Sequence, residues 1–426
     1  MPPSPPTPSE PAPSEPVTVP PQARRALAPF RHGVFLALWI GTLFSSLGVW
    51  IQSVGAAWLM TLIAAGSPDL VALVQSAASL PVFLFSALGG VLADVIDRRV
   101  AQLAGQVVVM AAALALAFTE MLGWTTPALL LILTFALGIG SAIRQPAFQA
   151  SVGDLVPRDE VPAAVTLNGV NFNIARALGP AIGGLIVAAA GAKIAFLVNA
   201  ACNLVTIGVL LAWRGKIISP PRERESVFGA LTAGLRQVAT RPPLRRTMMR
   251  VAAFSLFASA LWALLPVVTK EDLGGDSFTY GLLLGCLGGG AVLGAGFLGR
   301  LRRSASDEFV VALGSVLFAI ATIALATAHV MPVLVPLLVL GGVAWLIVMS
   351  TFSITVQLGA PGWVKARVIA IYFTVMFGSL ALGSWFWGWL AVVRHTHDSL
   401  LVAGTLMIAS LLLRWHFRMP VNKLEA

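Results

Sequence analysis

The chain of 426 residues is 58% hydrophobic and only 11% charged. A soluble domain carries about 25% charged residues, so an ordinary soluble enzyme is excluded and a polytopic membrane protein is indicated. The net charge is +10, but the basic residues fall between apolar runs, where they read as topology signals and contacts to anionic lipid head groups, and nucleic acid is excluded as a partner.

Residues 1–30 form a tail whose first stretch, rich in Pro, Ser and Glu, cannot bury enough surface to fold and is expected to be disordered. Arg24-Arg25 resembles the start of a twin-arginine signal. The apolar run after Phe35 is long enough to span, so it reads as an anchor and not as a cleaved leader. A bilayer core takes about 20 apolar residues per helix. Twelve such runs occur, near residues 33–60, 70–93, 100–121, 126–146, 164–189, 193–213, 247–269, 279–299, 309–328, 330–356, 366–391 and 399–415.

Between the second and third runs, Gly90, Asp94, Asp97, Arg98 and Arg99 make a compact charged corner. With the N-terminus in the cytoplasm, the even-numbered loops hold Arg98, Arg99, Arg144, Arg158, Arg300, Arg302, Arg303, Lys365 and Arg367. The central loop adds Arg214 to Arg250, while the odd-numbered loops hold only Lys193, Lys270 and Arg394. This lopsided count supports twelve crossings with both termini cytoplasmic. It leaves Arg176 as the one arginine inside a helix, near Asn168, Asn171 and Asn173. An arginine at that depth faces the protein interior or a wet cavity, where it holds an anionic substrate or organises a gate. The competing reading is a structural arginine satisfied by helix-end carbonyls or snorkelling along its stem.

The domain plan follows: a tail (1–30), a six-helix bundle (31–214), a linker (215–246), a second six-helix bundle (247–415) and a short tail (416–426). In the linker, Val227, Phe228, Leu231, Leu235 and Val238 share one helical face, which predicts an amphipathic helix on the cytoplasmic surface, with partner binding as the alternative. A fixed offset of 204 residues carries Gly90 onto Gly294, Arg98 and Arg99 onto Arg302 and Arg303, Gly138 onto Gly342 and Gly179 onto Gly383. Two six-helix repeats predict a transporter with its site between the halves. The expected fold is therefore an all-α membrane protein with twelve transmembrane helices in two bundles. Cys202 and Cys286 lie in apolar runs and read as small buried hydrophobes. His395, His397 and Asp398 read as a solvated turn; neither a metal nor a cofactor is expected. Among Trp385, Trp387 and Trp389, interface anchors are expected.

Gly90 to Arg99 resembles the loop between helices 2 and 3 of the major facilitator superfamily. Gly179-Pro180-Ala181-Ile182-Gly183-Gly184 resembles the Gly-Pro motif of its exporters. Ala57-Trp58-Leu59-Met60, Leu80-Pro81-Val82-Phe83, Gln145-Pro146-Ala147-Phe148 and Leu167 through Pro180 place the chain nearest the drug and siderophore exporter branch, which includes the enterobactin exporters and the transmembrane secretion effectors. The likeness covers about residues 30–415. It implies the major facilitator fold and monomeric, proton-driven export of a small molecule by alternating access.

The resemblance also implies that Asp94 latches the halves against a helix N-terminus, with Asp97, Arg98 and Arg99 beside it, Asp154 within reach, and Gly179, Pro180, Gly183 and Gly184 as a seal. The usual basic residue after the Asp is Val95 here. Thr134 and Leu137 stand where related antiporters carry Arg and Gln on helix 4.

With Arg176, the candidate substrate contacts are Asn173, Gln52, Gln75, Asn199, Trp262 and Trp345; each also has a packing reading, as do Ser79, Gln106, Asn203 and Thr351. Only Asp94 and Glu120 lie within the predicted helices, both near ends, so no proton carrier stands out. An uncoupled facilitator or a lipid or lysolipid flippase on the same fold stays open, as does a receptor that does not transport. An intramembrane enzyme is disfavoured, because neither a His-Glu-x-x-His metal motif nor a Gly-x-Ser-x-Gly nucleophile turn occurs.

Overall fold

The computed structural model describes residues 26–64, 67–95, 97–213, 227–328, 330–361 and 364–415, without the side chains of 86–96, 150, 227–231, 233, 300, 303, 366 and 413–415. The expectations for residues 1–25, for 214–226 of the linker, for 416–426, and for the side chain of Asp94 lie outside the described residues, as do the surroundings of Gly90.

Among the described residues, thirteen α-helices follow a short turn at Ala28–Arg31. The first six are α1 (Gly33–Ile63), α2 (Pro68–Val95), α3 (Arg98–Met121), α4 (Pro127–Leu155), α5 (Val161–Ala190) and α6 (Ala192–Ala212). A linker helix, α7 (Val227–Thr240), precedes α8 (Pro242–Glu271), α9 (Ser277–Ser304), α10 (Asp307–Thr327), α11 (Met331–Gly359), α12 (Lys365–Arg394) and α13 (Thr396–Ala409). Among the described residues there is no strand, and eleven helices are long and apolar enough to span a membrane. The twelfth crossing is α13, 14 residues continued by a six-residue 3-10 turn, Ser410–Trp415. At about 1.5 and 2.0 Å per residue the two together reach about 33 Å, the thickness of a hydrocarbon core.

Polar caps start several crossings where the chain turns back: Asp97 accepts from the Arg99 N–H, Thr126 from Leu129, Asp276 from Thr279 and Ser306 from Phe309. The Thr279 N–H and hydroxyl hold the Asp276 carboxyl below the usual carboxylate range. Arg144 and Arg250, counted with the loops in the sequence reading, lie inside α4 and α8. Those helices run past the apolar stretch at the end of the molecule where α2 meets α3, here called the corner end.

In the first bundle α1 packs on α5 and α6, α2 on α4, and α3 on α4 and α6. In the second bundle α8 packs on α12 and α13, α9 on α11, and α10 on α11 and α13. The neighbour patterns are the same, and the two most extensive contacts between the bundles, α2 with α12 and α5 with α9, exchange when the repeats are swapped. The molecule is therefore pseudo-twofold.

The repeat offset needs correction. α11, α12 and α13 start 204 residues after α4, α5 and α6 (Pro127 to Met331, Val161 to Lys365, Ala192 to Thr396). α8, α9 and α10 start 209 residues after α1, α2 and α3 (Gly33 to Pro242, Pro68 to Ser277, Arg98 to Asp307). Helix α10 and its following loop are shorter than α3 and its loop, which absorbs the difference. Asp97 therefore corresponds to Ser306, and both cap the next helix. Arg98 and Arg99 correspond to Asp307 and Glu308, not to Arg302 and Arg303.

The linker helix packs against α8 and α12 and reaches α2. Gly234 allows the approach: a Cβ there would lie 2.8 Å from Ile371 Cδ1 and 3.2 Å from Arg367 Cβ. One face of α7 is thus used on protein rather than on lipid.

Candidate functional site

Arg176 stands at the midpoint of α5, about 22 Å from either end. That is far beyond the reach of one side chain, so neither snorkelling nor helix-end carbonyls can satisfy it. It is 7% exposed. Its guanidinium carbon lies 5.4 Å from the Trp262 ring centroid and 5.5 Å from that of Trp345, within cation–π range of both. The two indoles are 5.5 Å apart and nearly perpendicular. Phe254 and Phe318, each 5.9 Å from Trp345, back that ring. Arg176 belongs to the first bundle, and Trp262 (α8) and Trp345 (α11) belong to the second. The cation and its aromatic base therefore face each other across the pseudo-twofold boundary. The enclosed Nε and Nη2 of Arg176 and Nε1 of Trp262 donate to no described group.

The backbone around Arg176 is itself a contact between the bundles. A Cβ on Gly288 of α9 would lie 2.7 Å from Ala177 Cα and would collide with the Arg176 carbonyl oxygen. Toward the far end, a Cβ on Gly184 would lie 2.7 Å from Gly281 Cα, and one on Gly281 would lie 2.7 Å from the Pro180 carbonyl oxygen. Gly179 and Gly183 face the other way, onto Trp50 and Ile51 of α1. The Gly-Pro motif thus closes one contact within its own bundle and one between bundles. Also between bundles, Ser76 donates to the Ala381 carbonyl at 2.8 Å, Lys270 donates to the Thr61 carbonyl at 3.0 Å, and Trp58 stacks on Tyr280 at 6.3 Å.

The other predicted substrate contacts are placed differently. Gln52 and Asn199 are bonded to each other inside the first bundle. They belong to a buried ladder in which Asn199 accepts from Asn203, Asn203 from Ser45, and Ser45 shares a hydrogen bond with Gln106. Asn173 donates to the Gly169 carbonyl and Gln75 to Ser79, each along its own helix. Thr351 donates to the Ile347 carbonyl, and Asn171 ties α5 to α1 through the Trp39 carbonyl. None of these hydrogen bonds reaches Arg176.

At the corner end, Arg98 pairs with Asp154 at 2.6 Å. Arg99 donates from Nε to the Leu210 carbonyl at 2.6 Å and from Nη2 to Leu211 at 3.0 Å, satisfying carbonyls at the end of α6 that its own helix leaves free. In the second bundle, Arg302 pairs with Asp307, and Arg250 with Glu308. Trp387 is buried and donates to the Leu256 carbonyl, whereas Trp385 and Trp389 are exposed. His397 donates from Nδ1 to the Ala326 carbonyl, so it is tied to α10 and is not simply solvated. Sequence reading missed Ser76, Lys270 and the Phe254–Phe318 backing, because a serine, a helix-end lysine and two phenylalanines carry no signal until their neighbours are known.

The profile of the transmembrane secretion effector family matches residues 24–426. The Staphyloferrin A transporter of Staphylococcus aureus is 25% identical over 65% of this chain and 69% of its own length. The multidrug efflux pump Tap of Mycolicibacterium fortuitum is 23% identical over 89% of this chain and 94% of its own. Some other matched relatives are spanned over about two thirds of their length or less. Among solved structures, a D-xylose–proton symporter superposes with a TM-score of 0.72 at 16% identity, covering 92% of this chain and 99% of that one.

Proposed function

Because the chain belongs to the transmembrane secretion effector family of the major facilitator superfamily, we propose that it is a secondary exporter of a small amphiphilic compound, drug- or siderophore-like, in a bacterial inner membrane, with both termini cytoplasmic. The compound binds between the bundles at Arg176, Trp262 and Trp345, and access alternates as the bundles rock about that level. One observation carries this reading: a mid-membrane guanidinium of one bundle held against two indoles of the other. The close approaches between bundles run from Arg176 to the far end, which fits a state facing the corner end and hence the cytoplasm. The relatives named for staphyloferrin A and for multidrug efflux support the substrate type.

At the corner, Asp94 is assigned the gate element, with Gly90, Asp97, Arg98, Arg99 and Asp154 around it; at the far end Pro180 and Gly184 supply the seal against α9, while Gly179 and Gly183 hold α5 on α1 behind it. For the energy source, proton-driven antiport follows from the resemblance, with Glu120 or Asp94 as the carrier. A second reading, an uncoupled facilitator, is favoured by the placement of acids: every acidic residue lies outside the described helices or within three residues of a helix end. Uptake of a siderophore and drug panel into inverted vesicles tests the proposal. Transport is expected in vesicles bearing the protein, to be absent from empty ones, and to fall when Asp94→Asn replaces the native residue while insertion is unchanged. Dependence on a proton gradient selects antiport, and indifference to its collapse selects the facilitator. No movement of any compound refutes both.

A further inference from the structure

We propose that the transported compound is an organic anion, and that Arg176 receives its carboxylate on the edge formed by Nε and Nη2, between the indoles of Trp262 and Trp345. The inference rests on the transport reading above and adds the substrate's chemical class.

The argument begins with an imbalance of donors and acceptors. Three N–H groups belong to this arginine–indole contact: Arg176 Nε, Arg176 Nη2 and Trp262 Nε1. All are enclosed and donate to no described group. Buried donors without acceptors are costly, and a group that relieves several of them at once supplies acceptor lone pairs rather than further donors. A carboxylate does so; an ammonium cannot, and a neutral ester or amide accepts more weakly.

Geometry narrows the choice. The Nε–H and Nη2–H bonds leave the guanidinium in parallel from one edge, and their separation matches the two oxygens of a carboxylate in a bidentate pair. Charge points the same way. No acidic residue lies within the middle of any described helix, so the guanidinium has no internal counter-ion. Among the described residues its charge meets only the two indole faces, at 5.4 and 5.5 Å, a weaker partner than a carboxylate. The same faces form an apolar wall, so the compound carries aromatic or apolar surface beside its acid group.

The placement also gives the arginine a reason to span the boundary. Arg176 moves with one bundle and the indoles with the other. An anion held by the fork and stacked on the rings ties both bundles, whereas separation of the bundles exposes the fork.

Binding of three probes with one ring system and different head groups to the purified full-length protein tests this: 2-naphthylacetate, its methyl ester and 2-naphthylethylamine, with naphthalene-2-sulfonate as a fourth arm. The readout is the heat of binding by isothermal titration calorimetry. The carboxylate is expected to bind about tenfold tighter or more than the ester or the amine, as a charge-assisted bidentate pair implies. Arg176→Gln should erase that preference, and Trp262→Phe should weaken all ring-bearing probes while keeping the order. The wild-type order needs no variant, so a misfolded Arg176→Gln leaves the test intact. Equal or tighter binding of the amine or ester, or no binding of the carboxylate, overturns the proposal. A sulfonate that outcompetes the carboxylate overturns the carboxylate assignment. Counterflow of a bound probe across proteoliposomes reads the transport function separately: a cation that exchanges shows a transporter of another class, and absence of exchange for every bound probe removes the transport reading and this inference with it.

Discussion

Arg99 shows how much a single side chain's role depends on its acceptors. From sequence it reads as a topology charge facing lipid phosphates, a role that any cation fills. In the fold it donates twice to the Leu210 and Leu211 carbonyls, which only a planar, multidentate head does well. Arg99→Ala is expected to cost about 1–2 kcal/mol, allowing for its partial exposure, and to lower the melting temperature of the purified protein by several degrees. Arg99→Lys keeps the charge and topology but reaches one carbonyl at best, so it should recover less than half of the loss. Full recovery by lysine would return Arg99 to the lipid-anchor role. The same contrast explains what was legible in the site. Arg176 was visible because an arginine in the middle of an apolar run has few explanations. Trp262 and Trp345 could only be nominated among 12 tryptophans, since nothing in local sequence says which indoles meet across a boundary. Gln52 and Asn199, polar residues in apolar runs like Arg176, turned out to bond each other, and that pairing is set by the packing of α1 on α6.

At the scale of elements, the crossings were readable because length and apolarity fix them independently of any partner. Their ends were less so: α4 and α8 extend past the lipid core, carrying Arg144 and Arg250 into helix, because pairing such as Arg250 with Glu308 lets charge continue a helix beyond the apolar stretch. The repeat was found in the wrong register for its first three helices, since glycine matches at 204 are cheap in a chain with 40 glycines and the shortened α10 segment leaves no local mark. What the glycines do is clear only from packing. Gly184 and Gly281 let α5 and α9 touch backbone to backbone, the close approach that small residues permit in membranes. Gly184→Val must part these helices, at about 1–3 kcal/mol for overpacking, and is expected to reduce transport at least severalfold. Gly289→Val on α9, where a Cβ meets nothing within 4 Å, is the matched control and should leave transport near wild type. Equal effects of the two would show that helix propensity, not the contact, was being measured.

The whole molecule is symmetric in topology and asymmetric in chemistry. Applying the 209 and 204 offsets to the polar ladder of the first bundle carries Ser45, Gln52, Gln106, Asn199 and Asn203 onto Phe254, Leu261, Ser315, Ala403 and Met407, all buried. One bundle is tied by interhelical hydrogen bonds, worth roughly 0.6 kcal/mol each in membranes. The other is filled by aromatic and aliphatic packing, with Phe254 within 6.4 Å of Phe352 and closer to Phe318 and Trp345. If each bundle moves as one body, rearrangement falls on the contacts between bundles, the most extensive being α2 on α12 and α5 on α9. If transport requires that rearrangement, a covalent tie across α2 and α12 must stop it without unfolding either bundle. Ser76 and Ala381, already in hydrogen-bond contact, are the positions for it. With Cys202 and Cys286 replaced by serine, the pair Ser76→Cys and Ala381→Cys should transport when reduced. Cross-linking with a short thiol reagent should abolish transport, and reductant should restore it. A cross-linked protein that still transports at the reduced rate would mean that the bundles do not part at this level, and the rocking reading would have to give way to local gating around Arg176.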